Sequence, residues 1–124
     1  MDENVWLREA EEKLKDAQAA LASDRFSAAC FWAQQAAEFA LKAAYLFTYK
    51  EFPPKVHDLL VLASKVKAPA NVNEAGAILN PAYVETRYID VTGKAPSTMF
   101  DRNDAQKFVE TAREVVSWSK SQMK

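Results

Sequence analysis

The chain has 124 residues, and 16 basic against 17 acidic side chains leave a formal net charge of −1. A charge this small argues against broad electrostatic binding to nucleic acid or to anionic lipid. Hydrophobic residues make up 49% of the chain and only two residues are glycine, which favours packed helices over a sheet with many tight turns. We therefore expect a single all-α domain that spans residues 1–124.

The cysteine content and the N-terminal sequence bear on the cellular compartment. Cys30 is the only cysteine, so neither an intrachain disulfide nor a cysteine-rich metal site is expected, as in proteins of a reducing cytosol. Residues 1–4 are acidic and do not resemble a secretory signal. Because Glu38 and Lys42 interrupt the most apolar stretch, residues 26–47, we interpret it as a buried helix. We predict a cytoplasmic protein without a membrane span.

The first two predicted helices differ in how apolar residues are distributed. The first, from about Glu3 to Ala22, has apolar residues spaced 3-4-3-4 along one face. These are Leu7, Ala10, Leu14, Ala17 and Leu21. The second, from about Arg25 to Tyr49, has only Glu38 and Lys42 as charged residues after its first position. A helix so apolar on all sides is expected in the middle of a bundle or at an interface.

A third, short helix is predicted after Pro53-Pro54, which ends the second one. His57-Asp58 opens it, and the Asp58 carboxylate suits the positive N-terminal end of a helix. Pro69 closes it. Its expected buried face consists of Leu59, Leu62, Ala63 and Val66.

The fourth predicted segment begins with Asn71 or Asn73 as its cap and reaches roughly Tyr88. Asn80-Pro81 reads as a cap followed by a first-turn proline, so we expect a kink or two short pieces there. Residues 89–100 contain a glycine and a proline, and their apolar residues follow no helical or strand periodicity. This pattern predicts a loop.

The last helix is predicted to begin after a capping box and to run to about Ser121. Asp101 and Asp104 have the spacing of such a box, with aspartate in the usual glutamate position. The helix repeats the 3-4-3-4 apolar seam. Its members are Ala105, Phe108, Ala112, Val115 and Ser119, backed by Val109 and Val116.

Four polar residues of the second helix, Gln34, Gln35, Glu38 and Lys42, share one face at 100° per residue. One hypothesis is structural: Glu38 and Lys42 form an i,i+4 ion pair, and the glutamines face solvent. The other hypothesis is a polar groove or a hydrogen-bonded dimer seam, which the apolar character of the rest of the helix favours.

His57 is the only histidine; it either bonds the backbone near a helix start or takes part in chemistry. No ligand spacing supports a metal site. Arg87 and Tyr88 suit a phosphate and a stacked base, although Arg87 would equally tie down the loop through Asp90. If a nucleotide binds, the sequence favours Arg87 and Tyr88, with Lys42 or His57 nearby.

Four segments in order resemble the HEPN domain family. Residues 27–42, SAACFWAQQAAEFALK, are similar to the second helix of prokaryotic HEPN domains. His57-Asp58-Leu59 resembles the family's histidine-aspartate-leucine start. Thr86-Arg87-Tyr88 with Asp90 looks like its threonine-arginine-tyrosine-proline-aspartate segment, and residues 104–113 look like its alanine-bearing last helix.

The resemblance implies an up-and-down bundle of four to five helices that is usually dimeric. Such proteins are often encoded beside a minimal nucleotidyltransferase and work with it as a two-component or toxin–antitoxin pair. The family name records a proposed nucleotide-binding role. Many members are metal-independent ribonucleases that use an arginine, four to six intervening residues, and a histidine.

This chain departs from the ribonuclease pattern. Before His57, the permitted positions hold Lys50, Glu51 and Phe52, and none of them is arginine. Without the pair, attack by a ribose 2′-hydroxyl lacks its proton-transfer group and its phosphate clamp. Ile89 also replaces the family's common proline. We therefore predict no catalytic residues and no metal-independent cleavage of RNA.

Three hypotheses remain for function. The first is a non-catalytic HEPN protein that forms a homodimer, associates with a nucleotidyltransferase and binds a nucleotide. The second is a divergent ribonuclease that uses His57 with Arg87 or Lys50. The third is a helical interaction module without a small ligand. None of them calls for a cofactor or a metal.

Overall fold

The computed structural model describes residues 2–85 and 99–124, with the side chains of residues 84 and 85 excepted. This part of the chain forms five α-helices and no strand. They are α1 (Glu3–Ala22), α2 (Phe26–Tyr49), α3 (Leu59–Lys65), α4 (Ala70–Glu85) and α5 (Arg102–Gln122). The predicted all-α helical bundle is confirmed.

Helix α2 is the centre of the bundle, because it packs against each of the other four helices. Seven of its thirteen buried residues are alanine, and the single methyl group of alanine lets neighbouring helices approach closely. Its buried alanines are Ala29, Ala33, Ala36, Ala37, Ala40, Ala43 and Ala44. The central position predicted from its composition is confirmed. Across residues 2–85 and 99–124, no helix combines the length and hydropathy that crossing a bilayer requires.

Helix α5 buries the apolar face that its periodicity predicts, and α1 buries Leu7, Ala10 and Ala17 of its predicted face, with Leu14 and Leu21 partly buried. In α5, the whole predicted seam is buried: Ala105, Phe108, Val109, Ala112, Val115, Val116 and Ser119. The capping box is also present, since the Asp104 amide donates to Asp101 Oδ1 at 2.8 Å and the Asp101 amide donates to Asp104 Oδ2 at 3.0 Å. The start of α5 is therefore encoded locally, within four residues.

Helix α3 starts as predicted, with the Asp58 carboxylate accepting a hydrogen bond from the Leu60 amide at 2.9 Å. Three of the four residues of the predicted face are fully buried, namely Leu59, Leu62 and Ala63. Val66 is only partly buried, because it follows the last helical turn. This short helix is thus held by one apolar face and by its cap.

The prediction that Asn71 or Asn73 caps α4 is wrong. The helix begins at Ala70, before both predicted cap residues. Asn73 Nδ2 instead donates to the carbonyls of Ala68 and Pro69 at 3.0 and 3.2 Å, and so closes the turn after α3.

Of the two alternatives predicted at Pro81, two short pieces are excluded because the helix runs through Pro81 as one element, and the kink stays a prediction. A proline inside a helix removes one backbone hydrogen bond, and packing of α4 against α2, α3 and α5 maintains the helix across it.

Candidate functional site

The polar face of α2 is buried where α2 meets the connection into α3. Gln34, Glu38 and Lys42 repeat at intervals of four residues and therefore stack along one side of the helix. Their exposed fractions are 0%, 2% and 7%, respectively. Polar groups buried to this degree need partners, because an unpaired buried charge is strongly destabilising.

The Glu38 carboxylate is the centre of a hydrogen-bonded network. Lys42 Nζ lies 3.1 Å from Glu38 Oε2, and His57 Nδ1 lies 3.0 and 3.1 Å from the two carboxylate oxygens. Gln34 Nε2 donates to Glu38 Oε1 and to the His57 carbonyl, both at 3.3 Å, and Gln35 Nε2 donates to Gln34 Oε1 at 2.7 Å. The network joins α2 to the residue that precedes the cap of α3.

The imidazole of His57 is held on two sides while half of its side-chain surface is exposed. One face stacks on the Tyr83 ring, with 4.2 Å between centroids and an interplanar angle of 17°. Because Nδ1 faces the Glu38 carboxylate, this nitrogen carries a hydrogen and donates it, which leaves Nε2 as an acceptor in the neutral ring. The ring is therefore fixed in both orientation and tautomer.

Asn80 of α4 connects this region to the first turn of α3. Its Oδ1 accepts a hydrogen bond from the Leu59 amide at 2.8 Å, and its Nδ2 donates to Asp58 Oδ1 at 2.8 Å. The hydrogen bond from Asn80, together with those from the Leu60 and Val61 amides, lowers the pKa of Asp58 below its ordinary value. The carboxylate is consequently ionised at neutral pH.

An open pocket of about 300 Å³ lies over these groups and is lined by His57, Asp58, Asn80 and Tyr83. We call it the junction pocket, since α2, α3 and α4 meet beneath it. Two other surface depressions differ in chemistry. One, of about 370 Å³, is lined by five consecutive residues, 24–28. The other, of about 260 Å³, is mainly apolar. Of the three, the junction pocket is the one built over the buried polar network.

The structure brings together five residues singled out from the sequence: Gln34, Gln35, Glu38, Lys42 and His57. The hypothesis that the glutamines face solvent is wrong for Gln34, which has no exposed surface. The Glu38–Lys42 ion pair is present, but it is buried. The predicted ligand residues at positions 87 and 88 lie outside the described residues.

Sequence reasoning missed the pocket roles of Asp58, Asn80 and Tyr83. The sequence predicts Asp58 only as a helix cap and Asn80 only as the cap of a piece of its own helix. The spacing of Asn80 and Tyr83, three residues apart, places both on one face of α4, and this signal was available. What the sequence did not indicate is that this face meets the start of α3.

The two lysines proposed as cationic ligands are engaged elsewhere. The Lys42 ammonium is paired with Glu38 inside the network, and Lys42 is only 7% exposed, so little of its surface can be reached by a phosphate. Lys50 follows Glu38 by twelve residues, about 18 Å along the helix axis, and its ammonium lies 3.6 Å from Glu3. Lys50 therefore cannot share one phosphate with His57, which is in contact with Glu38.

The part of the chain that the structure describes contains no group of three or more histidine, cysteine, aspartate or glutamate side chains that could hold a metal ion.

The fold can now be compared with known proteins. The family model of the HEPN domain matches residues 4–122. A similar solved structure is TT1696 from Thermus thermophilus, with 29% identity, 98% of this chain and 99% of that chain covered, and a TM-score of 0.89. Another is ST0689, described as an archaeal HEPN homologue. It has 29% identity and a TM-score of 0.87, and the match covers 100% of this chain and 99% of that chain. No curated protein gives a significant match. Since the family model covers nearly the whole sequence, the chain belongs to the HEPN domain family.

Proposed function

We propose that this HEPN-domain protein is a non-catalytic nucleotide-binding protein that acts as a homodimer with a nucleotidyltransferase partner, as one half of a toxin–antitoxin-like pair. The observation that carries the nucleotide-binding part is the junction pocket. The His57 ring is held by the Glu38 carboxylate and by stacking on Tyr83, and Asp58 and Asn80 are held by hydrogen bonds to each other and to the first amides of α3. Such preorganisation lowers the entropy lost on binding a ligand.

The lining of the junction pocket favours recognition over catalysis of phosphoryl transfer. Stabilising a transferring phosphoryl group requires cationic clamps. The described lining consists of an imidazole, a carboxylate, an amide and a phenol, and the neighbouring Lys42 ammonium is already paired with Glu38. Arg87 is proposed as the phosphate ligand of a bound nucleotide, with Tyr88 beside it.

Calorimetric titration with mononucleotides tests nucleotide binding. We expect saturable heat with the wild-type protein and its loss in Tyr83→Leu, which removes the aromatic support of His57. Phe52→Leu is the matched control, because Phe52 is 52% exposed and lies outside the pocket lining. Absence of heat at millimolar concentrations of every mononucleotide would contradict the proposal and favour an interaction module without a small ligand.

The dimer and its partner are separate parts of the proposal. The dimeric habit that the HEPN resemblance implies supports the dimer. Light scattering at micromolar protein should give twice the chain mass; a monomer would exclude a stable homodimer. Co-expression with a nucleotidyltransferase encoded beside the gene should give a complex that survives gel filtration, and separate elution of the two proteins would contradict the pairing.

A second candidate function is a divergent ribonuclease, and the Glu38–His57 contact is the observation that favours it. A carboxylate that holds Nδ1–H leaves Nε2 able to accept a proton. Incubation with single-stranded RNA in the presence of a chelator decides between the two functions. The proposal of a non-catalytic protein predicts no cleavage above background, whereas cleavage that disappears in His57→Ala would establish the ribonuclease.

A further inference from the structure

The mainly apolar depression of about 260 Å³ lies where α1 packs against α2. We call it the aromatic pocket, and its described lining consists of Val5, Trp6, Glu9 and Phe39. The rings of Trp6 and Phe39 meet edge to face, with 5.5 Å between their centroids, and Val5 is 46% exposed. Aromatic side chains at an open apolar surface are typical of the sites that protein partners cover.

Phe52 projects from the chain beside the aromatic pocket. It is 52% exposed, and the centroid of its ring lies 6.0 Å from that of Trp6, a wall of the pocket. Because Pro53 follows it, the backbone of Phe52 is restricted to extended conformations. Little backbone freedom therefore remains to be lost when this ring is buried by a partner. An apolar projection and an apolar depression thus lie side by side on one surface.

The aromatic pocket is large enough for a phenylalanine ring. A cavity of about 150 Å³ with apolar walls can hold a benzene molecule, and the aromatic pocket exceeds this volume. Since Phe52 lies next to the pocket, a twofold axis between them places Phe52 of each copy against the pocket of the other copy. Reciprocal contacts of this kind are the defining property of an isologous interface. In shape, the surface is therefore complementary to itself.

The charges around the aromatic pocket also match when two copies meet. Lys55 Nζ lies 6.0 Å from the centroid of the Phe52 ring, and Lys55 has no ion-pair partner among the described residues. Glu9 lines the pocket and its side chain is 53% exposed. Its ion pair with Lys13, at 3.7 Å, is longer than a hydrogen bond. Insertion of Phe52 into the pocket of a second copy brings Lys55 towards the Glu9 carboxylate there.

We infer that two copies of this chain meet through the aromatic pocket, with Phe52 of each copy inserted into the pocket of the other and Lys55 paired with Glu9 across the interface. This inference rests on the homodimer of the proposed function and names the surface that forms it. Because Lys55 and Glu9 both belong to this surface, a second copy supplies the complementary charge for each of them.

Sedimentation equilibrium of the full chain measures the dissociation constant of the dimer. Phe52→Glu places a charge in an apolar pocket on both sides of the axis, so it should raise this constant at least about a hundredfold. Phe52→Leu keeps an apolar side chain and should remain dimeric at micromolar protein. Leu60→Glu is the matched control, because Leu60 is 42% exposed on α3, and it should leave the constant unchanged.

Reversal of the two charges tests the contact between Lys55 and Glu9. Glu9→Lys places two lysines against each other and should weaken the dimer at least about tenfold. The double variant Glu9→Lys/Lys55→Glu restores opposite charges and should recover most of this loss. A double variant no tighter than Glu9→Lys, or Phe52→Glu that dimerises like the wild type, would overturn this interface and leave the homodimer in place. A monomeric wild-type protein would overturn both.

Discussion

The two sides of α2 are buried by different physical means. One side carries Ala33, Ala36, Ala37, Ala40 and Ala44, which enter the core without needing a hydrogen bond. The opposite side carries Gln34, Glu38 and Lys42, which are buried only because each has a polar partner. An apolar face requires only matching shape, whereas a buried polar face requires particular atoms at particular positions. We call these the alanine face and the polar face.

The largest change in the free energy of unfolding is expected from a substitution on the polar face. Glu38→Ala leaves the Lys42 ammonium buried without its carboxylate and should lower the free energy of unfolding by about 3 to 5 kcal/mol. Urea denaturation followed by circular dichroism measures the change. In the double variant Glu38→Met/Lys42→Met both charges are absent, so most of the loss should be recovered. A double variant as unstable as Glu38→Ala would show that the unpaired charge is not the cause.

A smaller loss is expected on the alanine face. Ala37 has no exposed surface, so Ala37→Leu forces three extra carbon atoms into a packed contact and should cost about 1 to 3 kcal/mol. Ala19→Leu on α1 is the control, because Ala19 is exposed and its enlargement should change stability by less than about 0.5 kcal/mol. Equal midpoints of thermal unfolding for the two variants would mean that the alanine face is not tightly packed.

A gain in stability is expected where a polar atom lies in apolar surroundings without a partner. The Ser119 hydroxyl is buried and, within the described residues, has no hydrogen-bond partner. Ser119→Ala removes this group with little change in shape and should raise the free energy of unfolding by up to about 1 kcal/mol. Thr111→Ala is the contrasting variant, since the Thr111 hydroxyl donates to the Lys107 carbonyl at 2.6 Å. A loss of stability in Ser119→Ala would indicate that the hydroxyl is satisfied.

The smallest effect on the free energy of unfolding at neutral pH is expected from ionisation of Cys30, which is buried beside the alanine face. Burial, with a further contribution from the Asp104 and Asp101 carboxylates, raises the pKa of its thiol from 9.0 to about 12. As the pH increases, the thiol ionises in the unfolded chain at a lower pH than in the folded protein. Its contribution to the free energy of unfolding is therefore complete below pH 9 and is lost between pH 9 and about 12.

Chemical denaturation at pH 7 and at pH 10.5 checks this prediction. The wild-type protein should lose more stability between the two values than Cys30→Ala, because other titrating groups are common to both. Parallel losses in the two proteins would exclude a role for this thiol. The folded protein should also react slowly with a thiolate-specific reagent at pH 8, and rapidly once it is denatured.

Local sequence features determined most of the helices. The 3-4-3-4 seams of α1 and α5 predicted their buried faces, because helical periodicity places such residues on one side. The Asp101–Asp104 box predicted where α5 begins, since a cap involves only neighbouring residues. The wrong helix start lies in α4. There, Asn73 closes the preceding turn instead of capping the helix, and this role cannot be read from local propensity.

The sequence by itself determined that the chain is an all-helical HEPN protein and that Gln34, Glu38 and Lys42 share a face. Only the tertiary structure decided that this face is buried, that His57 is the partner of Glu38, and that Asn80 and Tyr83 complete a pocket with Asp58. The physical reason is sequence separation. Contacts within one helix follow from its period, whereas Glu38 and His57 are 19 residues apart and Leu59 and Asn80 are 21 apart. Such pairs meet only through the packing of whole helices.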